Sequence, residues 1–374
     1  MRYVIRHHAS LTRSDSILSN ETIIVFFAYN NSLICFFGGF NVIEQILALS
    51  PVMPYVVLVV AFAALIKGAD MFVDGAASMA RKLGVSSAII GLTVVAMGTS
   101  APEAAVSISA SVGGANEIAL GNVIGSNLFN LLVVLGFCML ITKVPTTKEI
   151  LVRDFPWNLI ATIAVIVMIA FFHMASGMHV ISRAEGIVLL VLFVSYLGYV
   201  IYKTVKNRVT VDEDEIANVS WPKSILFLIV GIVLIVVGGD CVVDSASAIA
   251  ASFGMSPMLI GLTIVACGTS LPELVTSIVA AKKGECDMAI GNVVGSNMFN
   301  LLFILGMAAT INPVEVDLSS GILVDSVLLL GFTVMMYLFS LHGTKLQKGK
   351  GAISVVFYIG YLAYIILRAF SVAA

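Results

Sequence analysis

The 374-residue chain reads as an all-α polytopic membrane protein, with ten core transmembrane helices arranged as two inverted-topology repeats of five. Three observations predict this: the apolar composition, the length of the apolar runs, and a duplication at a constant offset of 170 residues. Hydrophobic residues make up 59% of the chain and charged residues 11%, and mean hydropathy is +1.06. Soluble domains carry about 25% charged residues, so lipid is the solvent this surface requires. Backbone groups in lipid need internal hydrogen-bond partners, which leaves helices or closed barrels. The apolar runs are about 20 residues long and lack two-residue alternation, as helices require.

Apolar runs predict spans at 54–76, 85–112, 118–141, 157–173, 185–204, 222–249, 256–281, 287–311, 322–341 and 352–370. The longest polar stretch, Lys203 to Lys223, includes Asp212, Glu213, Asp214 and Glu215. It divides the chain into a first repeat (54–204), a linker (205–221) and a second repeat (222–370). Orientation follows from Lys and Arg, which favour cytoplasmic loops. One set of loops holds 14 of the 20: Arg81, Lys82, Lys143, Lys148, Arg153, Lys203, Lys206, Arg208, Lys223, Lys282, Lys283, Lys345, Lys348 and Lys350. The linker is therefore expected in the cytoplasm and both ends of the core outside, in a multi-pass cell (inner) membrane protein. Residues 1–50 fit this plan poorly, because the apolar run 22–40 is interrupted by Asn30, Asn31 and Ser32 and follows Arg2, Arg6 and Arg13. A signal-like leader, an eleventh span and a true start near Met53 all fit; a leader outside the core is the expectation. Membrane lipid is the expected surrounding. No basic cluster suggests nucleic acid, and the five cysteines lack metal-site or disulfide spacing.

Shifted by 170 residues, the chain matches itself without a gap. GLTVVAMGTSAPE (Gly91–Glu103) falls on GLTIVACGTSLPE (Gly261–Glu273), and GNVIGSNLFNLL (Gly121–Leu132) on GNVVGSNMFNLL (Gly291–Leu302). Of the 50 residues from Gly91 to Leu140, 27 equal their partners. Asp70 and Asp74 likewise match Asp240 and Asp244, and Gly84 matches Gly254. Apolar composition explains matched Leu and Val, but not matched Glu, Pro, Asn and Thr. Five spans per repeat is odd, so the second copy enters the membrane from the opposite side. Such repeats build secondary transporters, whose sites lie at the midplane between the halves.

Glu103 and Glu273 each sit near the middle of an apolar span. A charge at the bilayer centre costs about 2.5–3.5 kcal/mol even on the mild insertion scale, so such residues are functional candidates. Neither motif contains Lys or Arg; Lys67 alone among cations lies well inside a span. Thr99 and Ser100, and Thr269 and Ser270, precede the glutamates by four and three residues and share their helix face. Pro102 and Pro272, read as interior prolines, are expected to kink the chain, free the carbonyls of Gly98 and Gly268, and loosen the turns holding Ala96 and Ala266. Ser126 and Asn130, and Ser296 and Asn300, add oxygens on the next helix of each half. Gly121 with Gly125, and Gly291 with Gly295, are small-residue pairs suited to close helix packing. Asn122, Asn127, Asn292 and Asn297 cap helix ends or line an access path. Asp70, Asp74, Asp240 and Asp244 funnel cations at a vestibule or mark helix ends at the interface. The resulting donor set is all oxygen, without paired His or Cys. It disfavours Zn2+ and Cu+, suits Ca2+, which takes six to eight oxygens, and leaves neutral places for Na+. Intramembrane hydrolase motifs are absent: there is no HExxH, residue 237 is not the glycine a GxGD motif needs, and both GTS motifs lack the second glycine of GxSxG.

GTSAPE, GTSLPE, GNVIGSN and GNVVGSN resemble the two alpha-repeats of the Ca2+/cation antiporter superfamily, most closely its prokaryotic sodium/calcium exchanger branch. The resemblance covers about residues 54–370. It implies a transporter rather than an enzyme, with no cofactor, that exchanges three Na+ for one Ca2+. Four adjacent cation sites would lie among the second, third, seventh and eighth core helices. Glu103 and Glu273 would be shared Ca2+ ligands, joined by Thr99, Thr269 and the carbonyls of Ala96 and Ala266. Ser100, Ser126, Ser270 and Ser296 would mainly serve Na+, and Asn130 and Asn300 would close the ring. The first and sixth helices would slide as a gate over the other eight, and a monomer would suffice. Potassium-dependent members typically carry Asp at the position of Asn300, so Asn in both halves points away from K+ cotransport. A H+/Ca2+ or K+-dependent exchanger is the alternative coupling, and a cation channel the distant one.

Overall fold

A computed structural model describes residues 40–114, 116–145, 147–171, 174–175, 178–206, 220–255, 260–341 and 345–373. The acidic run at 212–215 and most of the leader lie outside the described residues; a short helix, Phe40–Ala48, precedes the core. The core helices are α1 (Met53–Leu83), α2 (Ser87–Thr99 and Ala101–Val112), α3 (Ile118–Ile141), α4 (Ile150–Phe171), α5 (Arg183–Thr204) and α6 (Trp221–Ser252). α7 is built of Gly261–Val265, Ala266–Gly268 and Leu271–Lys282. α8 (Cys286–Ile311), α9 (Ile322–Leu341) and α10 (Lys348–Ala369) complete the set. Eight of these are unbroken apolar helices long enough to span, and α2 is a ninth span bent by 49° at Ser100. α7, the tenth, adjoins residues 256–259, which lie outside the description.

Three ends depart from expectation. α1 and α6 run on to Leu83 and Ser252, past the apolar runs. α1 ends where Gly84 takes a left-handed conformation (φ 64°), which glycine adopts without a Cβ penalty. α4 starts at Ile150 rather than 157, because Arg153 and Asp154 are not loop residues. They form a buried ion pair at 2.6 Å, and Tyr196 of α5 donates to Asp154 Oδ1 at 3.1 Å. Paired in this way, the two charges enter the helix.

Short strands in the connecting loops make the inversion visible. Val144–Pro145, between α3 and α4, pairs with Lys345–Leu346, between α9 and α10. Met178–Ile181, between α4 and α5, pairs with Val314–Val316, between α8 and α9. Val144 and Val314 are repeat partners, yet their strands lie beyond opposite ends of α4. Equivalent elements of the two halves therefore occupy opposite faces of the bundle.

The helices sort by burial. In α3 and α8, 78% of the apolar window is buried, against 11% in α10, so α3 and α8 form the centre and α10 faces lipid. α1 and α6 pack side by side through glycine notches. A Cβ on Gly68 would sit 2.9 Å from Gly231 O, and one on Gly231 would sit 2.7 Å from Phe72 N. Across the halves, Gly291 and Gly295 of α8 seat against Ala88 and Leu92 of α2, which is how small residues let helices associate in lipid. Gly121 and Gly125 meet no described atom within 4 Å; their repeat-related neighbours would fall at residues 258–262, partly outside the description.

Gly231→Val is expected to force α1 and α6 apart and to lower stability by about 1–3 kcal/mol, as overpacking does. Gly360→Val on α10, where a Cβ meets nothing within 4 Å, leaves the melting temperature in detergent nearly unchanged.

Candidate cation site

The site grows from two helix breaks. Ser100 (φ −83°, ψ 10°) interrupts α2, and Ser270 (φ −94°, ψ 8°) interrupts α7 in the same conformation. Each break starts a new helical segment, with proline second and glutamate third. Pro102 and Pro272 thus occupy a first turn, where a missing N–H costs nothing. This corrects the expectation of interior prolines stripping carbonyls bare. The carbonyls of Ala96 and Gly98 still accept backbone N–H groups at the cap, and Ser100 N–H reaches Ala96 O at 3.0 Å. The break does something different. It sets Glu103 and Glu273 in the positive first turn of a helix, where a carboxylate is favoured, and aims a carbonyl-bearing helix end at the same region.

Both glutamates are fully buried, as are Thr99, Ser100, Asn130, Ser270, Ser296 and Asn300. Ser126 is nearly so, and Thr269 is half-buried. The halves exchange partners. Ser100 Oγ donates to Glu273 Oε1 at 2.7 Å, and Ser270 Oγ donates to Glu103 Oε1 at 2.9 Å. Ser296 Oγ adds a contact of 3.4 Å to Glu273 Oε1. Asn300 Nδ2 donates to Ser126 Oγ at 3.1 Å and to Asn127 Oδ1 at 3.0 Å. Thr99 Oγ1 reaches Asn292 Oδ1 at 3.1 Å and its own-helix Ala96 O at 3.4 Å. α2, α3, α7 and α8 therefore bring the predicted side chains together. Of Ala266 only the backbone is described, as the first residue of the segment before the α7 break.

None of the ion pairs formed among the described residues includes Glu103 or Glu273. Lys67 is bonded to Asp70, three residues along α1, at 2.8 Å. Several buried oxygens have no hydrogen-bond partner among the described residues: Oε2 of both glutamates, Thr269 Oγ1, and Oδ1 of Asn130, Asn297 and Asn300. Leaving a buried acceptor unsatisfied costs about 1–3 kcal/mol. A cluster of bare oxygen lone pairs around two carboxylates is the donor set of a hard cation. Among the described residues no group of three His, Cys, Asp or Glu side chains could hold a metal. The set instead mixes two carboxylates with neutral oxygens.

A supporting layer escaped the sequence reading. Asn122 Nδ2 donates to Glu103 O at 3.3 Å and to Ser107 Oγ at 2.9 Å. Its counterpart Asn292 donates to Ser277 Oγ at 2.9 Å. Asn127 and Asn297 each donate to the other's carbonyl, at 3.2 and 3.4 Å, across the pseudo-twofold axis. None of the four caps a helix end. The available signal was Ser107 and Ser277, matched polar residues one turn past each glutamate.

Single turns of π-helix recur at matched places: Gly91–Val95 with Gly261–Val265, and Asn130–Val134 with Phe299–Ile304. Such bulges are rare and concentrate at functional sites. Here they flank the glutamate motif in α2 and α7, and they hold Asn130 and Asn300 in α3 and α8.

Comparison with known proteins agrees with this geometry. The family model described as sodium/calcium exchanger protein matches residues 53–202 and 223–367. The chain is 32% identical over 314 residues to the inner membrane protein YrbG of Escherichia coli, covering 82% of this chain and 94% of that one. It is 29% identical over 341 residues to the sodium/calcium exchanger MaX1 of Methanosarcina acetivorans, covering 82% and 97%. A crystal structure of the sodium-calcium exchanger NCX_Mj, soaked without Na+ and Ca2+, superposes with a TM-score of 0.73 at 32% identity, over 84% of this chain and 99% of that one. With both halves matched, and with the glutamate-bearing breaks inside the matched segments, the chain belongs to the sodium/calcium exchanger protein family.

Proposed function

We propose that this protein is a secondary active antiporter that exchanges Na+ for Ca2+ by alternating access, through a midplane site centred on Glu103 and Glu273. The observation that carries the reading is the pair of fully buried carboxylates, each with one oxygen tied to the opposite half and one without a hydrogen-bond partner. Two carboxylates neutralise one Ca2+ or share several Na+, so the two loads compete. Thr99, Thr269 and the carbonyls of Ala96 and Ala266 complete the Ca2+ shell. Ser100, Ser126, Ser270 and Ser296 serve Na+, with Asn130 and Asn300 between them. The chain sits in the cell membrane with the 205–221 linker on the cytoplasmic side, and lipid and the transported cations are its partners.

The inversion supports alternating access. Halves of like structure and opposite orientation can exchange conformations, which places inward-open and outward-open states at similar energies. An unloaded site leaves two bare charges facing each other in a low dielectric and resists closure. Either load screens them and permits it.

The test is 45Ca2+ uptake into proteoliposomes loaded in turn with Na+, K+ or protons. Uptake driven by internal Na+ alone is expected, with Glu103→Gln and Glu273→Gln each abolishing it. Drive by protons would replace the coupling ion, and uptake with no outward gradient would mean a channel. Ser100→Ala and Ser270→Ala are expected to raise half-saturating Ca2+ by comparable factors of about 10 or more, because each removes a hydrogen bond to a charged group worth about 1.5–3 kcal/mol. Exchange of three Na+ for one Ca2+ moves one charge, worth about 2.3 kcal/mol per 100 mV. Flux under clamped ion gradients should then follow voltage; voltage-independent flux would exclude that stoichiometry.

A further inference from the structure

The residues of the two halves match at the cation site but differ in the turns that follow α2 and α7. Asp70 and Asp74 of α1 are the repeat partners of Asp240 and Asp244 of α6. On the α1 side, Lys283 Nζ lies 2.6 Å from Asp70 Oδ1 and 2.7 Å from Asp74 Oδ1. It also donates to Asp70 O at 2.9 Å. Lys283 stands in the turn that closes the Leu271–Lys282 segment of α7. Two residues on, Glu285 accepts from Ser87 Oγ at 2.6 Å and faces Arg81 at 3.6 Å. One short turn of the second half is thereby bonded to both α1 and the start of α2. The repeat partners of Lys283 and Glu285 are Gly113 and Ala115, which carry no charge. The backbones of the two turns nonetheless agree. Gly113 (φ −76°, ψ −4°) matches Lys283 (φ −79°, ψ −1°), and Gly114 and Gly284 are left-handed at 79° and 84°.

We propose that Lys283, Asp70 and Asp74 form a one-sided latch that holds α1 on the end of α7 and biases the transporter towards the state closed on the face of the 7–8 turn. The proposal rests on the alternating-access reading above. Symmetry brings the two states close in energy, so a modest interaction present in one of them sets their ratio. Lys283 and its partners are partly exposed, and exposed ion pairs shift equilibria by roughly two- to fivefold each. Release is kept easy by Lys67. It sits on α1 itself, 2.8 Å from Asp70, so Asp70 keeps a counter-charge when Lys283 withdraws.

The experiment uses the full-length protein in oriented vesicles of both polarities, measuring half-saturating Ca2+ for Na+-dependent exchange on each face. Apparent affinity scales with the fraction of protein open to that face. Lys283→Met and Asp74→Asn are expected to lower half-saturating Ca2+ on the face of the 7–8 turn and raise it on the other, the factors on the two faces multiplying to about two- to fivefold for each ion pair removed. The Na+:Ca2+ ratio should not move. The swap Lys283→Asp with Asp74→Lys should restore wild-type values. Gly113→Lys, which the turn backbone accommodates, should shift both values the opposite way by placing a cation at the repeat position of Lys283. Changes of the same sign on both faces, no change, or no rescue by the swap would overturn the latch; an inert Gly113→Lys would overturn its one-sidedness. A wild-type protein without Na+-dependent Ca2+ flux would instead defeat the functional reading on which the latch rests.

Discussion

Two carboxylates lie fully buried in the middle of the bundle without a Lys or Arg partner among the described residues, and the architecture around them answers that one electrostatic demand. A fixed counter-cation would satisfy the charges and block a mobile one. The protein uses weaker and divisible means: a serine hydroxyl from the opposite half, the positive first turn of a freshly started helix, and a shell of neutral oxygens. Each of these lowers the cost of the anion without neutralising it. The helix breaks at Ser100 and Ser270 answer this demand, since a continuous helix has no first turn within its length.

The breaks in turn dictate the packing. A bent helix exposes polar backbone, which lipid does not tolerate, so α2 and α7 must be enclosed by protein. α3 and α8 enclose them. They are the most buried spans, and their Asn122 and Asn292 bond to the broken segments rather than to their own helix ends. Gly291 and Gly295 let α8 close onto α2 at backbone distance. α1 and α6, packed on each other through Gly68 and Gly231, form a separate pair beside this centre. The charges of Asp70, Asp74 and Lys283 lie where this pair meets the core.

Much of this was legible in the sequence, because the duplication turned a polar residue in an apolar run into a paired observation. The span count came from the apolar runs, and the inversion, the two glutamates and the oxygen-bearing neighbours from residues that match at an offset of 170. What stayed hidden depends on tertiary partners. Arg153 and Asp154 looked like loop charges until their burial against Tyr196 became visible. Lys67 looked like an isolated intramembrane cation, although Asp70 stands three residues away. The prolines were read as interior when they begin helices, since periodicity alone cannot separate a kink from a restart. The π-helical turns left no trace because residue type does not separate them from their α-helical neighbours, and only the hydrogen-bond register distinguishes them.

The crossed serine–glutamate bonds have a consequence for what counts as a unit. Glu103 is completed by Ser270, and Glu273 by Ser100, so a single five-helix half holds a carboxylate but not the serine that makes its shortest bond. Neither half is a small transporter. Two copies of one half inserted in opposite orientations would, however, supply both crossed pairs, as a dimer of identical chains. Joining them in one polypeptide adds nothing to the centre. It does release the rims from identity, so that one copy can carry Lys at 283 while the other carries Gly at 113.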